Sequence, residues 1–405
     1  MSDIEKPLAG VVVVEHARGV AAQYCARLLA VMGATVIKVE PPQGNALRRQ
    51  GPFLDEGQER SALFEYLNAD KLSIVVDLTS EQGRAKLASL LDNADLLVDD
   101  TARLARAAIG LDPETVRQRH PGLNFVSILP FGAEGAHADY VGTELNLVHA
   151  GGEAYLLPNG LSLELHPDRP PVKMYGHFAE FVGGTTATCA AITALLSSLG
   201  SNGSTGRFVD VAVQDANMSI SCMAIQRYAT GTLETRHNRS FKYGGVIECA
   251  DGFVELLVLE QHQWLALLDV MGNPSWVPPE FIDPLERGRR GAEINVHIRA
   301  WARNITVAEF VRKGQEVKVP VAPYNTPAQV LATAIDNGRD AFSRVDIGDS
   351  KNVPFFTAPF QFVGEPLSIQ RAAPGVGADE QRVWELVESV GAMRARPASV
   401  QSERA

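Results

Sequence analysis

Paired cysteines are missing from this chain. Cys25, Cys189, Cys222 and Cys249 are scattered through 405 residues without C-x-x-C spacing, which offers neither a disulfide framework nor a thiolate metal site. A reducing, cytoplasmic setting and no bound metal are therefore expected. Phosphate-cradling glycines are also missing: the first strand-to-helix turn carries only Gly19, so the G-x-G-x-x-G of a nicotinamide or flavin fold is absent. H-E-x-x-H, G-x-S-x-G, Walker and kinase motifs are lacking too. The net charge of -11 runs against a nucleic-acid partner, whose footprint is a clustered basic face. The acidic start Met1-Ser2-Asp3-Ile4-Glu5 has neither region of a signal peptide, and no apolar run approaches the roughly 20 residues of a membrane span, so no membrane partner is expected.

Apolar residues are plentiful. At 45% hydrophobic the chain buries a large core, and single cores rarely grow beyond about 250 to 300 residues, so two domains are expected. From Leu8 to Leu129, runs of Val, Ile and Leu at Val11 to Val14, Thr35 to Val39, Ser73 to Leu78, Asp95 to Val98 and Asn124 to Ile128 alternate with helical patterns. Continuous rather than alternating apolar runs mean strands buried on both faces, hence a parallel sheet with right-handed crossover helices. Thr79 with Gln82 reads as a capping box, and Asp112-Pro113-Glu114 as a cap, first-position proline and acidic first turn. Ala179 to Leu199 reads as a tightly packed small-residue helix ended by Gly200 to Ser204, followed by a helical run Val211 to Thr230. Val246 to Cys249 and Val254 to Leu259 flank Asp251-Gly252 as a hairpin, and helices at Gln263 to Met271, Glu293 to Asn304 and Val307 to Gln315 complete a smaller α+β unit.

Several stretches resemble one family. They are Pro7 to Val14 with Gly33 to Pro42, Asn68 to Leu78 with Gly83-Arg84, Ala94 to Val98, the Ser127 to Gly135 loop, Thr205-Gly206-Arg207, Val211 to Ala216, Val321 to Thr326 and Ala358-Pro359-Phe360. Together they resemble the family III CoA-transferases, the group of formyl-CoA transferase, carnitine CoA-transferases and 2-methylacyl-CoA racemase. The resemblance implies an α/β fold: a Rossmann-like large domain built from both chain ends, here 1–220 and 326–405, with a smaller domain at 221–325. It also implies an interlocked dimer, either of identical chains or with a homologous subunit.

A transferase of this kind uses a carboxylate to attack an acyl-CoA thioester, giving a mixed anhydride and then an enzyme-CoA thioester that passes CoA to an acceptor acid. No permanent cofactor is implied; coenzyme A is a substrate. The family nucleophile is an aspartate followed four residues later by glycine, and the match in Tyr175 to Gly184 puts Glu180 there, one methylene longer. Glu144 in Gly142-Thr143-Glu144-Leu145-Asn146 matches a second active-site acid, with Gly151-Gly152 as a small-residue turn; His149 and His177 are the nearest histidines. Taken alone, Glu180 also reads as an acid favoured by a helix N-terminus and Glu144 as a helix-capping acid. Lys38, Arg48 and Lys71 are expected to face the CoA phosphates, and Gly183-Gly184 to lend backbone donors to an oxyanion or to permit close helix packing.

Other positions depart from the family pattern. Asp100-Thr101 replaces a neutral phosphate-side contact, Leu72 an arginine and Ala22-Gln23 a Gly-Pro, while the glycine-rich loop is reduced to Gly244-Gly245. These departures imply weak CoA binding. They set beside the transferase a second possibility, a non-catalytic partner subunit of a heterodimer, as in succinyl-CoA:benzylsuccinate CoA-transferase. An acyl-CoA racemase is the third, and it would need a histidine and an acid paired as base and acid.

Overall fold

The computed structural model describes residues 6–54, 56–57, 59–158, 163, 165–200, 203–231, 243–336, 338–339 and 341–394. Met1 to Glu5 and Ser201-Asn202 of the expected helix breaker lie outside them. The chain divides into two compact units: Met1–Gly152 with Met174–Ser221 and Arg339–Ala405, and Glu153–Lys173 with Cys222–Gly338. Two boundaries differ from the reading of the sequence, since Glu153–Lys173 groups with the second unit and the return begins at Arg339.

The first unit is organised by six parallel strands: β1 (Val12–His16), β2 (Thr35–Glu40), β3 (Leu72–Val75), β4 (Leu96–Asp99), β5 (Asn124–Leu129) and β6 (Phe208–Ala212), in the order β3-β2-β1-β4-β5-β6. This is the doubly wound arrangement whose strand order reverses between β1 and β4, leaving a crevice at the carboxyl ends of those two strands. The first helix, Val20–Val31, has every residue buried, including Gln23 and Arg27. The sequence reading missed β6 and merged its last residues into a helix. As an edge strand it has only Val211 buried, with Phe208 and Asp210 exposed, and it lacks the continuous apolar run that marks the interior strands.

Local signals are decided by side-chain reach. Asp112 accepts from the Thr115 N–H at 2.9 Å with Pro113 opening the helix, as expected. The next cap differs: Ser80, not Thr79, caps Glu81–Leu91 by accepting from the Gly83 N–H, while Thr79 turns back to Asp77 at 2.6 Å. The C-terminal helix Glu380–Arg394 brings Val383 and Val387 into one core with Leu72, Ile74, Leu87 and Leu90. A hairpin of β10 (Phe342–Ile347) and β11 (Ser350–Phe356), not foreseen from the sequence, is tied down by the buried Arg27, whose guanidinium donates to the Tyr66, Phe356 and Thr357 carbonyls.

The helix Phe178–Leu199 is 22 residues long and carries an 18-residue window of mean hydropathy 1.4, so by length and composition it reaches what a membrane span needs, contrary to the expectation above. One face of it packs against the first helix and β5, where Gly184 abuts the Ala21 carbonyl and Ser198 bonds to Asn124 at 3.1 Å, and 33% of the apolar window is buried.

The second unit carries an antiparallel sheet of β7 (Gly245–Glu248), β8 (Phe253–Leu256) and β9 (Val321–Pro323), in that order. Trp264, Phe281, Ile294, Ile298 and Phe310 fill its core, drawn from helices Gln261–Val270, Gly291–Ala302 and Val307–Glu316 and the short turn Pro279–Ile282.

Candidate active site

Three side chains of the first unit converge where two helices begin. Glu144 opens the helix Glu144–Ala150 behind Thr143, and Glu180 stands third in the long helix Phe178–Leu199, behind His177. The first N–H groups of a helix have no partner within it. Glu144 supplies one, its Oε2 accepting from the Glu180 N–H at 3.2 Å. Spacing of i, i+3 across the helix start brings His177 Nδ1 within 2.6 Å of Glu180 Oε2. Ionised Glu180 has only acceptor oxygens, so Nδ1 carries the proton and donates. The Glu180 side chain is 18% exposed and that of His177 26%, partly open to a ligand. Asn217, fully buried, holds this helix start by donating to the Ala179 carbonyl at 3.1 Å.

One ligand atom each from Glu144, His177 and Glu180 lies within 4.8 Å of the others, the spacing of a possible cation site. Two ligands of one tetrahedral zinc-like ion, each at about 2.1 Å, stand about 3.4 Å apart. The 2.6 Å bond between His177 and Glu180 is shorter and holds a proton in that place. His149 is not part of the cluster; its Nδ1 lies 2.8 Å from the Leu145 carbonyl of its own helix.

The expected cations are placed differently. Lys38 and Lys71 are buried at 0% and 1% exposure, and both donate to Glu15, at 2.5 Å to Oε1 and Oε2 respectively. Lys71 also reaches the Gln23 carbonyl and Asn68 Oδ1. Burial, opposed by Glu15 but reinforced by Lys38, lowers the Lys71 ammonium from 10.5 to about 7. Arg48 grips Glu40 at 2.8 and 2.6 Å, donates to the Pro374 carbonyl and lies over the Phe64 ring. Burial pushes the Glu40 carboxyl up, yet Arg48 and Ser73 outweigh it and hold it below its ordinary value. Two internal carboxylates thus engage all three cations; for Lys38 and Lys71, which are fully buried, this corrects the expectation that they face a phosphate, whereas the Arg48 side chain stays 18% exposed.

Gly183 and Gly184 also need correction. They lie beyond the first helical turn, where N–H groups belong to the helix ladder, so they are not oxyanion donors. A Cβ on Gly183 would stand 2.9 Å from Val213, and one on Gly184 2.6 Å from the Ala21 carbonyl, so both serve helix packing.

The sequence reading missed that a carboxylate occupies the backbone donors beside the crevice between β1 and β4. Asp100 directs both carboxylate oxygens at the Arg18 N–H and one at the Gly19 N–H, 2.9, 2.9 and 2.6 Å away, at the start of the first helix. A dinucleotide fold binds its pyrophosphate at that place. Burial raises the Asp100 carboxyl, against the pull of the Gly19 N–H. Beside it, Asp99 accepts from Thr101 at 2.6 Å and Arg106 at 3.1 Å and meets His16 Nδ1 at 2.9 Å. The motif departure at Asp100-Thr101 was the available signal; the direction of the carboxylate was not. A cavity of about 810 Å³, lined by Pro7, Leu8, Asp92, Leu123, Leu195 and Leu199, opens at the amino ends of the strands, away from the crevice where such sheets bind ligands.

Comparison with known proteins agrees with this architecture. The model of CoA-transferase family III matches residues 8–380. A succinate–glutarate CoA-transferase of Agrobacterium fabrum is 27% identical over 96% of this chain and 98% of its own length. A succinyl-CoA:mesaconate CoA-transferase of Haloarcula marismortui is 26% identical over 92% and 93%. The BbsE subunit of succinyl-CoA:(R)-benzylsuccinate CoA-transferase from Thauera aromatica is 27% identical over 90% of each chain. Among solved structures, a CaiB/BaiF family protein from Brucella suis superposes with a TM-score of 0.81 at 25% identity, covering 95% of this chain and 100% of that one.

Proposed function

The chain belongs to CoA-transferase family III, and from that premise we propose that it moves CoA between succinyl-CoA and a second carboxylic acid, with Glu180 as the nucleophile and Glu144 beside it. The convergence of Glu180, Glu144 and His177 at the start of the long helix carries this reading. Succinyl-CoA as donor is supported by the names of relatives that act on it. A carboxylate suits the role because it is ionised at neutral pH and its anhydride stays reactive toward the next nucleophile. The extra methylene relative to aspartate is accommodated by fixing the head group through His177 and the backbone through Glu144.

Incubation with succinyl-CoA followed by borohydride is expected to convert Glu180 to an alcohol, located by mass spectrometry. Glu180→Gln is expected to lose both the adduct and turnover. Retained turnover in that variant overturns the assignment.

An interlocked dimer belongs to the same proposal. Its support is the first unit's exposed apolar side chains, with Tyr175 97% exposed and Leu199 72%.

A second reading, a partner subunit that leaves CoA to a homologous chain, is favoured by Asp100 filling the first turn and by the BbsE relative being a named subunit. Titration with CoA separates the two: micromolar binding with turnover by this chain alone overturns the partner reading.

A further inference from the structure

We infer that His177 directs CoA onto the Glu180 side of the mixed anhydride, by donating its Nδ1–H to the oxygen on which charge develops in that step. The inference rests on the transferase reading above. Its basis is the 2.6 Å bond, which singles out one carboxylate oxygen. Oε2 has a lone pair committed to the imidazole N–H, so Oε1 is the better nucleophile toward a thioester carbonyl carbon.

The steps then balance without any net proton transfer. Oε1 attacks the acyl carbon, the carbon–sulfur bond breaks, and the electron pair leaves with sulfur as CoA thiolate. The negative charge has passed from Glu180 to the thiolate. In the anhydride, Oε1 is the bridging oxygen and Oε2 the carbonyl oxygen of the glutamyl half. The thiolate now has two carbonyl carbons to choose from. Attack on the acyl carbon regenerates the starting acyl-CoA, whereas attack on the Glu180 Cδ places negative charge on Oε2. Breaking the Cδ–Oε1 bond then expels the acid as its carboxylate and leaves CoA as a glutamyl thioester.

Only Oε2 has the fixed His177 donor. Hydrogen bonds of this kind strengthen as charge develops on the acceptor and need no reorganisation at the moment of reaction. The imidazole thus favours the productive branch. Its position is set by the chain: His177 stands immediately before the long helix, three residues from Glu180, while Glu144 fixes the first helical turn through the Glu180 N–H. Gly183 and Gly184, committed to packing, cannot supply the donor.

Two isotope-exchange reactions test this, both using succinyl-CoA. Exchange of labelled CoA into succinyl-CoA requires only the first step and its reversal. Exchange of labelled succinate requires the second step as well. In His177→Leu, succinate exchange is expected to fall by about 10²- to 10³-fold, the usual loss for one oxyanion donor. CoA exchange is expected to fall by less than about tenfold, because its transition state does not need that donor. His177→Asn, whose amide N–H lies near the Nδ1 position, is expected to recover at least tenfold in succinate exchange over the leucine variant. His177→Gln, with its N–H one bond farther out, is not.

Equal loss of both exchanges in the leucine variant, or succinate exchange within threefold of the unaltered protein, overturns the role of His177. If the leucine variant fails to fold, the comparison of asparagine with glutamine decides, and equal rates in those two overturn it. Absence of both exchanges and of any Glu180 adduct in the unaltered protein overturns the transferase reading itself, a different outcome from failure of the His177 role.

Discussion

Replacing Lys71 by methionine tests the electrostatics beneath the sheet edge. Two fully buried lysines share the single carboxylate of Glu15. Methionine at 71 leaves one lysine for one carboxylate and removes the ammonium that burial disfavours. The sign follows from proton binding. Below about pH 7, folded and unfolded chains both hold the Lys71 proton, and the desolvation penalty is fully present. Between about pH 7 and the unfolded value of 10.5, the unfolded chain holds a proton that the folded one has released, so stability rises with pH at up to about 1.4 kcal/mol per unit. Above that window the gain is constant. Over the whole window it is on the order of 5 kcal/mol. Urea unfolding of both proteins at about pH 6, 8 and 10 reads the difference directly, because titrations common to the two cancel. The unaltered protein is expected to gain on Lys71→Met steadily from pH 7 upward. Near pH 6 the variant is expected to be comparable or more stable, since replacing a buried charge by an apolar side chain of similar volume is often neutral or stabilising. A difference that stays flat between about pH 7 and 9.5 refutes the reasoning, because Lys71 would then remain charged in the folded chain. CoA affinity provides a second readout. It is expected to be unchanged in Lys71→Met, because a side chain at 1% exposure does not reach a phosphate.

Two further outcomes are expected. Asp100→Asn removes the negative charge from the turn at Arg18 and Gly19, so CoA affinity by calorimetry is expected to rise about tenfold, the worth of one like-charge contact of about 1.4 kcal/mol; unchanged affinity shows that the CoA phosphates do not approach this turn. Sedimentation equilibrium is expected to give a dimer at low micromolar concentration, and a stable, fully folded monomer there removes the interlocked assembly.

What the sequence determined by itself was what repeats along the chain. Val12 to Val14, Val36-Ile37 with Val39, and Leu96 to Val98 announce interior parallel strands because burial on both faces demands near-continuous apolar residues, whatever the neighbours. Asp112-Pro113 announces a helix start because the cap is satisfied three residues away. Glu180 and Glu144 were singled out as candidates through motif resemblance, and the i, i+3 spacing of His177 and Glu180 was visible without a fold. Tertiary structure alone decided which charges face each other. Lys38 and Lys71 look like phosphate ligands until β1, β2 and β3 are set side by side and bring Glu15 against both. Gly184 looks like a donor of N–H groups until the first helix is laid across it. Asp100, 81 residues from Gly19 along the chain, becomes the occupant of the first turn only when β4 pairs with β1. Capping and burial act over a few residues and leave a local signature, whereas a charge takes its partner from whatever strand the sheet order places beside it.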